Sequence, residues 1–201
     1  MVLRVRRVRA ADDHGAEASG PVRGAPPYRV GMADTPGVPT EASRVTLSRI
    51  MSTVDVNLYG TVHGGVIMKL VDDAAGASAA RHSGGNAVTA SMDEMQFLWP
   101  VRVGDLVHAS AQVNWTGRTS MEVGVTVTAE PWDRGGTEPV HVATAYLVFV
   151  GVGSTGAPRE IPPVLPRGVD DERRFREAVI RREHRLAQRA AILVSRGGQA
   201  G

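Results

Sequence analysis

The chain of 201 residues is 42% hydrophobic and 22% charged, enough apolar content for one sizeable core with tails. It has no cysteine, which excludes disulfides, thiolate metal ligands and a cysteine nucleophile, and fits a reducing compartment. The net charge of +2 is unevenly spread: residues 1–31 carry six Arg against three acids and residues 167–201 nine Arg against five acids. The middle is therefore acidic and lacks the basic, aromatic-laced patch of a nucleic-acid platform.

Residues 1–40 read as a disordered tail. Pro21, Pro26, Pro27, Pro36 and Pro39 interrupt small residues without periodicity, leaving little apolar surface to offset the entropy of ordering. The Arg-rich opening lacks the uninterrupted apolar segment of a secretory signal, and Asp12, Asp13 and Glu17 argue against an organelle-targeting segment. No apolar run approaches a membrane span, so the expectation is a cytoplasmic protein with no membrane partner. Met32 opens MADTPG, an alternative start that would place residues 1–31 outside the native protein.

From Ser43 the pattern becomes strand-like, with Val45, Leu47 and Ile50 in RVTLSRIMS. A polar turn follows at Asn57, Gly60, Gly64 and Gly65, and then apolar residues recur at helical spacing: Ile67, Leu70, Val71, Ala74, Ser78. A helix is expected to begin near Gly65. Its first turn leaves backbone N–H groups without intrahelical partners and carries the positive end of the helix dipole, so it can hold a carbonyl oxygen that gains negative charge.

Two adjacent acids on this helix are separated by spacing. Asp73 lies four residues after Lys69, which predicts a surface pair of about 0.3–0.5 kcal/mol. Asp72 shares its stripe with Met68, Ala75, Gly76 and Ala79, where no side chain neutralises it. That stripe either meets water or is covered by a surface that leaves a cleft over Ala75 and Gly76. A carboxylate two turns from the dipole's positive end can serve as general base or nucleophile on a carbonyl held there.

Further strands follow. Val88, Ala90 and Met92 alternate against Thr89, Ser91 and Asp93; Pro100 and Gly104-Asp105 break the run before LVHASAQVNWTG. RTSMEVGVTVTAE alternates cleanly, its Met121, Val123, Val125 and Val127 face expected on the helix and the opposite face in water or on a partner. VHVATAYLVFVG is apolar on both faces and reads as an interior strand. One helix before four strands joined mostly by short hairpins predicts an α+β fold, an antiparallel sheet wrapped on that helix, over residues 41–165. After the proline linker around Pro162 and Pro163, residues 166–201 read as a helical extension. Its first turns are acidic, and Phe175, Val179 and Leu186 form a narrow apolar stripe suited to docking on the core or on a neighbouring subunit.

Several motifs fail on context. GVGSTG at 151–156 matches a dinucleotide fingerprint, but Pro158, Pro162 and Pro163 forbid the helix it requires. His63-Gly64-Gly65 suggests an esterase oxyanion loop, yet no G-x-S-x-G turn exists. The six histidines lack ligand spacing, so no metal site is expected, and His63 is expected to serve the turn.

The motifs N-x-x-G-x-x-H-G-G-V-I-M-K-L-V-D at 57–72, A-A-R-H at 79–82, V-T-A-S-M-D at 88–93, F-L-W-P-V-R-V-G-D at 97–105, G-R-T-S-M-E-V at 117–123 and D-E-R-R-F at 171–175 carry a resemblance. Over residues 44–190 the chain resembles the hotdog-fold acyl-CoA thioesterases, especially the brain-type acyl-CoA hydrolases and their single-domain bacterial relatives. The resemblance implies a hotdog fold and hydrolysis of acyl-CoA to coenzyme A and a carboxylic acid. Asp72 is implied as the catalytic carboxylate, with Asn57 sharing the site across a subunit interface to orient water or thioester. The donor to the thioester carbonyl maps to the N–H of Gly64 or Gly65.

On the same resemblance His63 lies on the substrate side, and Arg118, Thr119 and Ser120 lie near the coenzyme A phosphates and pantetheine arm; a solvated hairpin Arg118 is the plain alternative. No cofactor is implied beyond the coenzyme A of substrate and product. A single hotdog needs a second copy to complete a site, so a homo-oligomer of at least a dimer is implied, with a hexamer, a trimer of dimers, as the form relatives adopt. A non-catalytic acyl-CoA-binding regulatory hotdog is the alternative, against which stand the intact Asn57 and Asp72 and a tail without a helix-turn-helix pattern. A hydratase is disfavoured because the His-Asp pattern of that group is missing.

Overall fold

A computed structural model describes residues 4–6, 36–133 and 138–197. Among these residues, eight strands and two α-helices follow in chain order: β1 (Arg4–Arg6), β2 (Val38–Pro39), β3 (Val45–Ile50), α1 (Gly64–Ser83), β4 (Ala87–Phe97), β5 (Asp105–Thr116), β6 (Ser120–Pro131), β7 (Val140–Gly151), β8 (Val164–Leu165) and α2 (Val169–Ser195). Six strands form an antiparallel sheet in the order β1-β3-β5-β6-β7-β4, and β2 pairs with β8 in parallel. The 7–35 stretch, with the alternative start at Met32, lies outside the described residues. Within the tail of 1–40, residues 38–40 are ordered, because Val38–Pro39 gain a partner in Val164–Leu165 that no local pattern discloses.

The sheet wraps α1 as the hotdog layout requires. Ile67, Leu70, Val71, Ala74 and Ser78 are all buried against it, together with Val107, Val123, Val125, Val127 and Leu147. The helix starts at Gly64 and ends at Gly84, whose φ of 66° closes a left-handed C-cap. No cleft opens over Ala75 and Gly76, one of the two expectations for that face. Ala75 and Ala79 are buried, and the Phe149 ring of β7 lies 3.6 Å from where a Gly76 Cβ would stand.

β5, β6 and β7 follow one another as neighbours, and β7 is interior as its two apolar faces predict. β4 instead lies at the far edge, paired with β7, and the chain crosses to β5 through the break at Pro100 and Gly104. GVGSTG forms a turn after β7, with Gly153 N–H bonded to Ala157 O and no helix behind it.

The outer face of β6 corrects another expectation. Glu122 is 1% exposed rather than in water, because α2 packs across that face of the sheet. Arg181 donates to both Glu122 carboxylate oxygens at 3.2 and 2.7 Å, Asn114 donates to one of them, and the Arg181 guanidinium stacks 3.6 Å above the Tyr146 ring. Gly124 has no side chain because Asn114 occupies that space on its way to Glu122. At the start of α2 the buried Asp171 accepts from Arg44 and Gln112, and Arg185 pairs with Asp93 further along. Ala178 and Phe175 supply the apolar contact; Leu186 stays half-exposed, since the last turns of α2 run past the sheet. Among the described residues, no helix is long and apolar enough to cross a membrane.

Candidate active site

The site grows from the loop that delivers the chain into α1. Ser52 and Asp55 close a capping box, and Arg49 pairs with Asp55. Burial alone would raise the Asp55 carboxyl, but the Ser52 hydrogen bonds and the Arg49 charge outweigh it and hold the group below the usual carboxylate range. Asp55 O accepts from His63 N–H, and Val101 O accepts from Val62 N–H, so both ends of the intervening turn are anchored.

Asn57 organises that turn. Its Oδ1 accepts from the N–H groups of Tyr59 and Thr61 at 2.8 and 3.3 Å, and its Nδ2 donates to Thr61 Oγ1 at 2.9 Å. The oxygen is saturated and one amide N–H is left to offer. Leu58 and Tyr59 at the tip are 101% and 91% exposed.

His63 is the N-cap of α1. Its Nδ1 accepts from Gly65 N–H at 2.9 Å, which puts the proton of the neutral ring on Nε2. Val66 N–H bonds to His63 O, while Gly64 N–H has no partner among the described residues. Of the two glycines, then, Gly65 is capped and Gly64 presents the open donor. Gly64 borders a cavity of about 360 Å³ lined by Ile67, Phe97, Leu98, Trp99 and Val101.

Asp72 and Asp73 part as their spacing predicts. Asp73 pairs with Lys69 at 3.2 Å in solvent. Asp72 is half-buried on the side of β4 and accepts from Thr89 Oγ1 at 2.7 Å. Sequence reasoning missed Thr89. Its alternation within β4 assigned it a face but no partner, because the partner stands 17 positions earlier on α1.

Eight residues separate Gly64 from Asp72, about 12 Å along the helix axis at 1.5 Å per residue. One copy therefore does not bring the open donor and the carboxylate together. Arg118, Thr119 and Ser120 are not brought to Gly64 either. They form the β5–β6 turn, with Thr119 O accepting from Gly151 N–H at the Ala87 end of β4, whereas Gly64 lies by Phe97 at the other end. Arg118 is exposed and pairs with Glu160 at 3.4 Å.

Residues 59–133 match the model of the thioesterase superfamily. An uncharacterized acyl-CoA thioester hydrolase of Bacillus subtilis is 39% identical over 145 residues, covering 72% of this chain and 83% of the relative. The mouse cytosolic acyl coenzyme A thioester hydrolase is 36% identical over 135 residues, covering 67% of this chain and 35% of that one, so the chain spans about a third of the length of the mammalian relatives it matches. Among solved structures, the acyl-CoA hydrolase of Staphylococcus aureus, in complex with butyryl coenzyme A, coenzyme A and coenzyme A disulfide, superposes with a TM-score of 0.73 at 31% identity, covering 80% of this chain and 96% of that one.

Further structures of the S. aureus enzyme carry alanine in place of one asparagine, one aspartate and one threonine, in that order along the chain and separated by 15 and 17 positions. A hexameric acyl-CoA thioesterase superposes with a TM-score of 0.74 at 32% identity, covering 78% of this chain and 99% of it. With its sheet wrapped on α1 and most of a bacterial relative covered at this identity, the chain belongs to the hotdog-fold thioesterase superfamily.

Proposed function

We propose that this protein hydrolyses acyl-CoA thioesters to coenzyme A and a carboxylic acid, with Asp72 as its catalytic carboxylate. The observation that carries the reading is the Thr89–Asp72 hydrogen bond on a helix whose first N–H, at Gly64, is open. Asn57, Asp72 and Thr89 have the residue types and the 15- and 17-position spacings of the three residues replaced in the S. aureus enzyme.

Thr89 donates to one Asp72 oxygen and leaves the other to accept a proton from water. The water oxygen bonds to the thioester carbon while the carbonyl oxygen takes up negative charge at the Gly64 N–H, where the helix dipole favours it. Collapse re-forms the carbonyl and breaks the carbon–sulfur bond, and the coenzyme A thiolate leaves with the proton that Asp72 held. A thioester has weaker resonance than an ester and a better leaving group, so a carboxylate and an N–H donor suffice without a Ser-His-Asp triad. Asn57 offers its remaining amide N–H to the water or the thioester. His63 shapes the substrate side by capping Gly65, so that Gly64 alone of the two glycines stays open. Arg118, Thr119 and Ser120 are proposed contacts for the distant coenzyme A arm.

The same proposal assigns residues 41–165 to the hotdog unit and 166–201 to its helical extension. It takes the working form as a homo-oligomer, a hexamer like the similar thioesterase, in the cytoplasm that the names of the mammalian relatives specify. The test is free-thiol release over a panel of acyl-CoAs of increasing chain length. Wild type is expected to release thiol, Asp72→Asn to lose about 100-fold or more in kcat, and Asp73→Ala to stay close to wild type. Binding without thiol release would refute the hydrolase and favour a sensor; equal losses from both aspartate variants would refute the assignment of Asp72.

A further inference from the structure

The last turns of α2 are built differently from the rest of it. Up to Arg185 the helix is tied to the core: Asp171 and Ala178 are buried, Arg181 grips Glu122 and Arg185 pairs with Asp93. From Leu186 to Gly197 every residue is exposed. The ten helical residues Leu186–Ser195 run on for about 15 Å at 1.5 Å per residue. A helix surrounded by water is expected to be polar all round, yet LAQRAAILVS holds seven apolar residues, and Leu186, Ile192, Leu193 and Val194 are 47%, 41%, 42% and 78% exposed. The charge changes at the same place. The acids of α2 end at Glu183, and with His184 neutral the charged side chains from there to Gly197 are Arg185, Arg189 and Arg196.

We propose that this segment docks on an anionic lipid bilayer, with Leu186, Leu193 and Val194 among the acyl chains and Arg182, Arg189 and Arg196 at the phosphates. Helical positions seven apart drift by only about 20°. Val179, Leu186 and Leu193 therefore form one stripe, widened by Ala190 and Val194 at spacings of four, while Arg182, Arg189 and Arg196 form a second row beside it. A bilayer interface sets anionic phosphate next to hydrocarbon, the same order as these two rows. Basic and apolar faces side by side on a helix are suited to lying in that interface, the arginine stems bridging from the apolar layer to the headgroups. About 15 Å of helix is half of what the hydrocarbon core requires, so the segment lies on the membrane and does not cross it. The expectation of no membrane partner rested on the lack of a spanning run, which surface docking does not need. Pairing of two such segments is disfavoured, because it would bring arginine rows together with no acid between positions 184 and 197 to separate them.

The test is co-sedimentation of the full-length protein with vesicles of phosphatidylcholine alone or mixed in equal parts with phosphatidylglycerol. Binding is expected on the mixed vesicles, weakening as salt is raised, and little on phosphatidylcholine alone. Arg189→Gln with Arg196→Gln should weaken it about 25-fold, near fivefold for each charge, and Leu193→Gln about tenfold or more. Arg173→Gln, at the acidic start of α2 where Arg173 pairs with Glu177, should leave it unchanged. No binding to mixed vesicles at low salt, equal binding to both compositions, or equal loss from Arg173→Gln and the pair at 189 and 196 overturns the proposal. So does self-association abolished by Leu193→Gln in a protein that ignores vesicles, which would make the occupant a second copy.

Orientation gives a second reading. Because the chain has no cysteine, Leu193→Cys and Gln188→Cys each introduce one thiol for a polarity-sensitive fluorophore. Position 193 is on the apolar stripe and position 188 is on the opposite side of the helix. The label at 193 is expected to shift to the blue on mixed vesicles and the label at 188 to stay as in water; equal shifts would refute docking by this face. Thiol release from a soluble short-chain acyl-CoA should be unaltered in the Arg189, Arg196 and Leu193 variants. Loss of vesicle binding would thus leave the hydrolase reading standing, and vesicle binding without thiol release in wild type would sink that reading alone.

Discussion

Replacing Arg181 by Met would strand a carboxylate that the fold has taken out of water. Glu122 has lost almost all its solvent exposure, and its oxygens are served by two Arg181 bonds and one from Asn114. Removing one partner of a buried pair costs about 3–5 kcal/mol because the remaining charge is uncompensated. Arg181 keeps 19% of its side-chain exposure, so water reaches part of the gap and the lower end, about 3 kcal/mol, is expected. For a chain of this size that corresponds to a fall in Tm of about 6–12 °C.

Circular dichroism melts of Arg181→Met, Glu122→Gln and the double variant measure it as a cycle, in which the double variant should recover most of the loss. Arg181→Lys should recover little, since a point charge replaces neither the two-pronged contact nor the stacking on Tyr146. Additive losses around the cycle, or a drop in Tm below about 2 °C, would show that α2 is not held by this pair.

Three further outcomes are expected. Thr89→Val keeps shape but removes the donor to Asp72, so kcat in the thiol-release assay should fall about 10- to 100-fold, the worth of a charge-assisted hydrogen bond, with Tm nearly unchanged; unaltered kcat would show that Asp72 is oriented by something else. Asn57→Asp keeps the oxygen that Tyr59 and Thr61 need but loses the amide donor, whereas Asn57→Ala loses both. Both should lower turnover and only the alanine should lower Tm, by about 2–4 °C, and a fully active Asn57→Asp would reduce the residue to a turn-former. Burial lowers the pKa of His82, against the raising effect of its bond to Pro162 O, so the folded protein keeps the ring neutral where the unfolded chain protonates it near 6.5. Its stabilisation is intact above pH 6.5 and is lost below it at up to about 1.4 kcal/mol per pH unit; urea melts from pH 7.5 to 5 should show this slope, and a slope that persists in His82→Gln would refute its source.

Much of α1 could be read directly. The Gly-Gly entry, the apolar recurrence from Ile67 to Ser78 and the parting of Asp72 from Asp73 are local properties of a 3.6-residue period, and local periods are what a sequence displays. Strand partners are not local. A strand followed by hairpin neighbours is the local reading of β4, but its pairing with β7 depends on partners 46 to 64 positions away, and the contact of Thr89 with Asp72 exists in no single strand. Glu122 looked like one polar residue on a wet face because the residue that buries it, Arg181, is 59 positions further on. Asn57 was legible as part of a turn and a site, but how its hydrogen-bonding capacity is divided required the geometry of Tyr59 and Thr61.

The two glycines that open α1 mark a place where robustness and reactivity pull apart. Alanine at a helical glycine ordinarily adds about 0.5–1 kcal/mol of stability, which makes this turn an obvious target for thermostabilising redesign. A Cβ at Gly65, however, would stand 3.0 Å from the His63 ring and dislodge the cap, and one at Gly64 would reach 3.5 Å from Phe97 at the rim of the adjoining cavity. Alanine at Gly65 should therefore forfeit the usual gain through the lost cap, whereas alanine at Gly64 meets only ordinary contact and sets a methyl group at the cavity's edge.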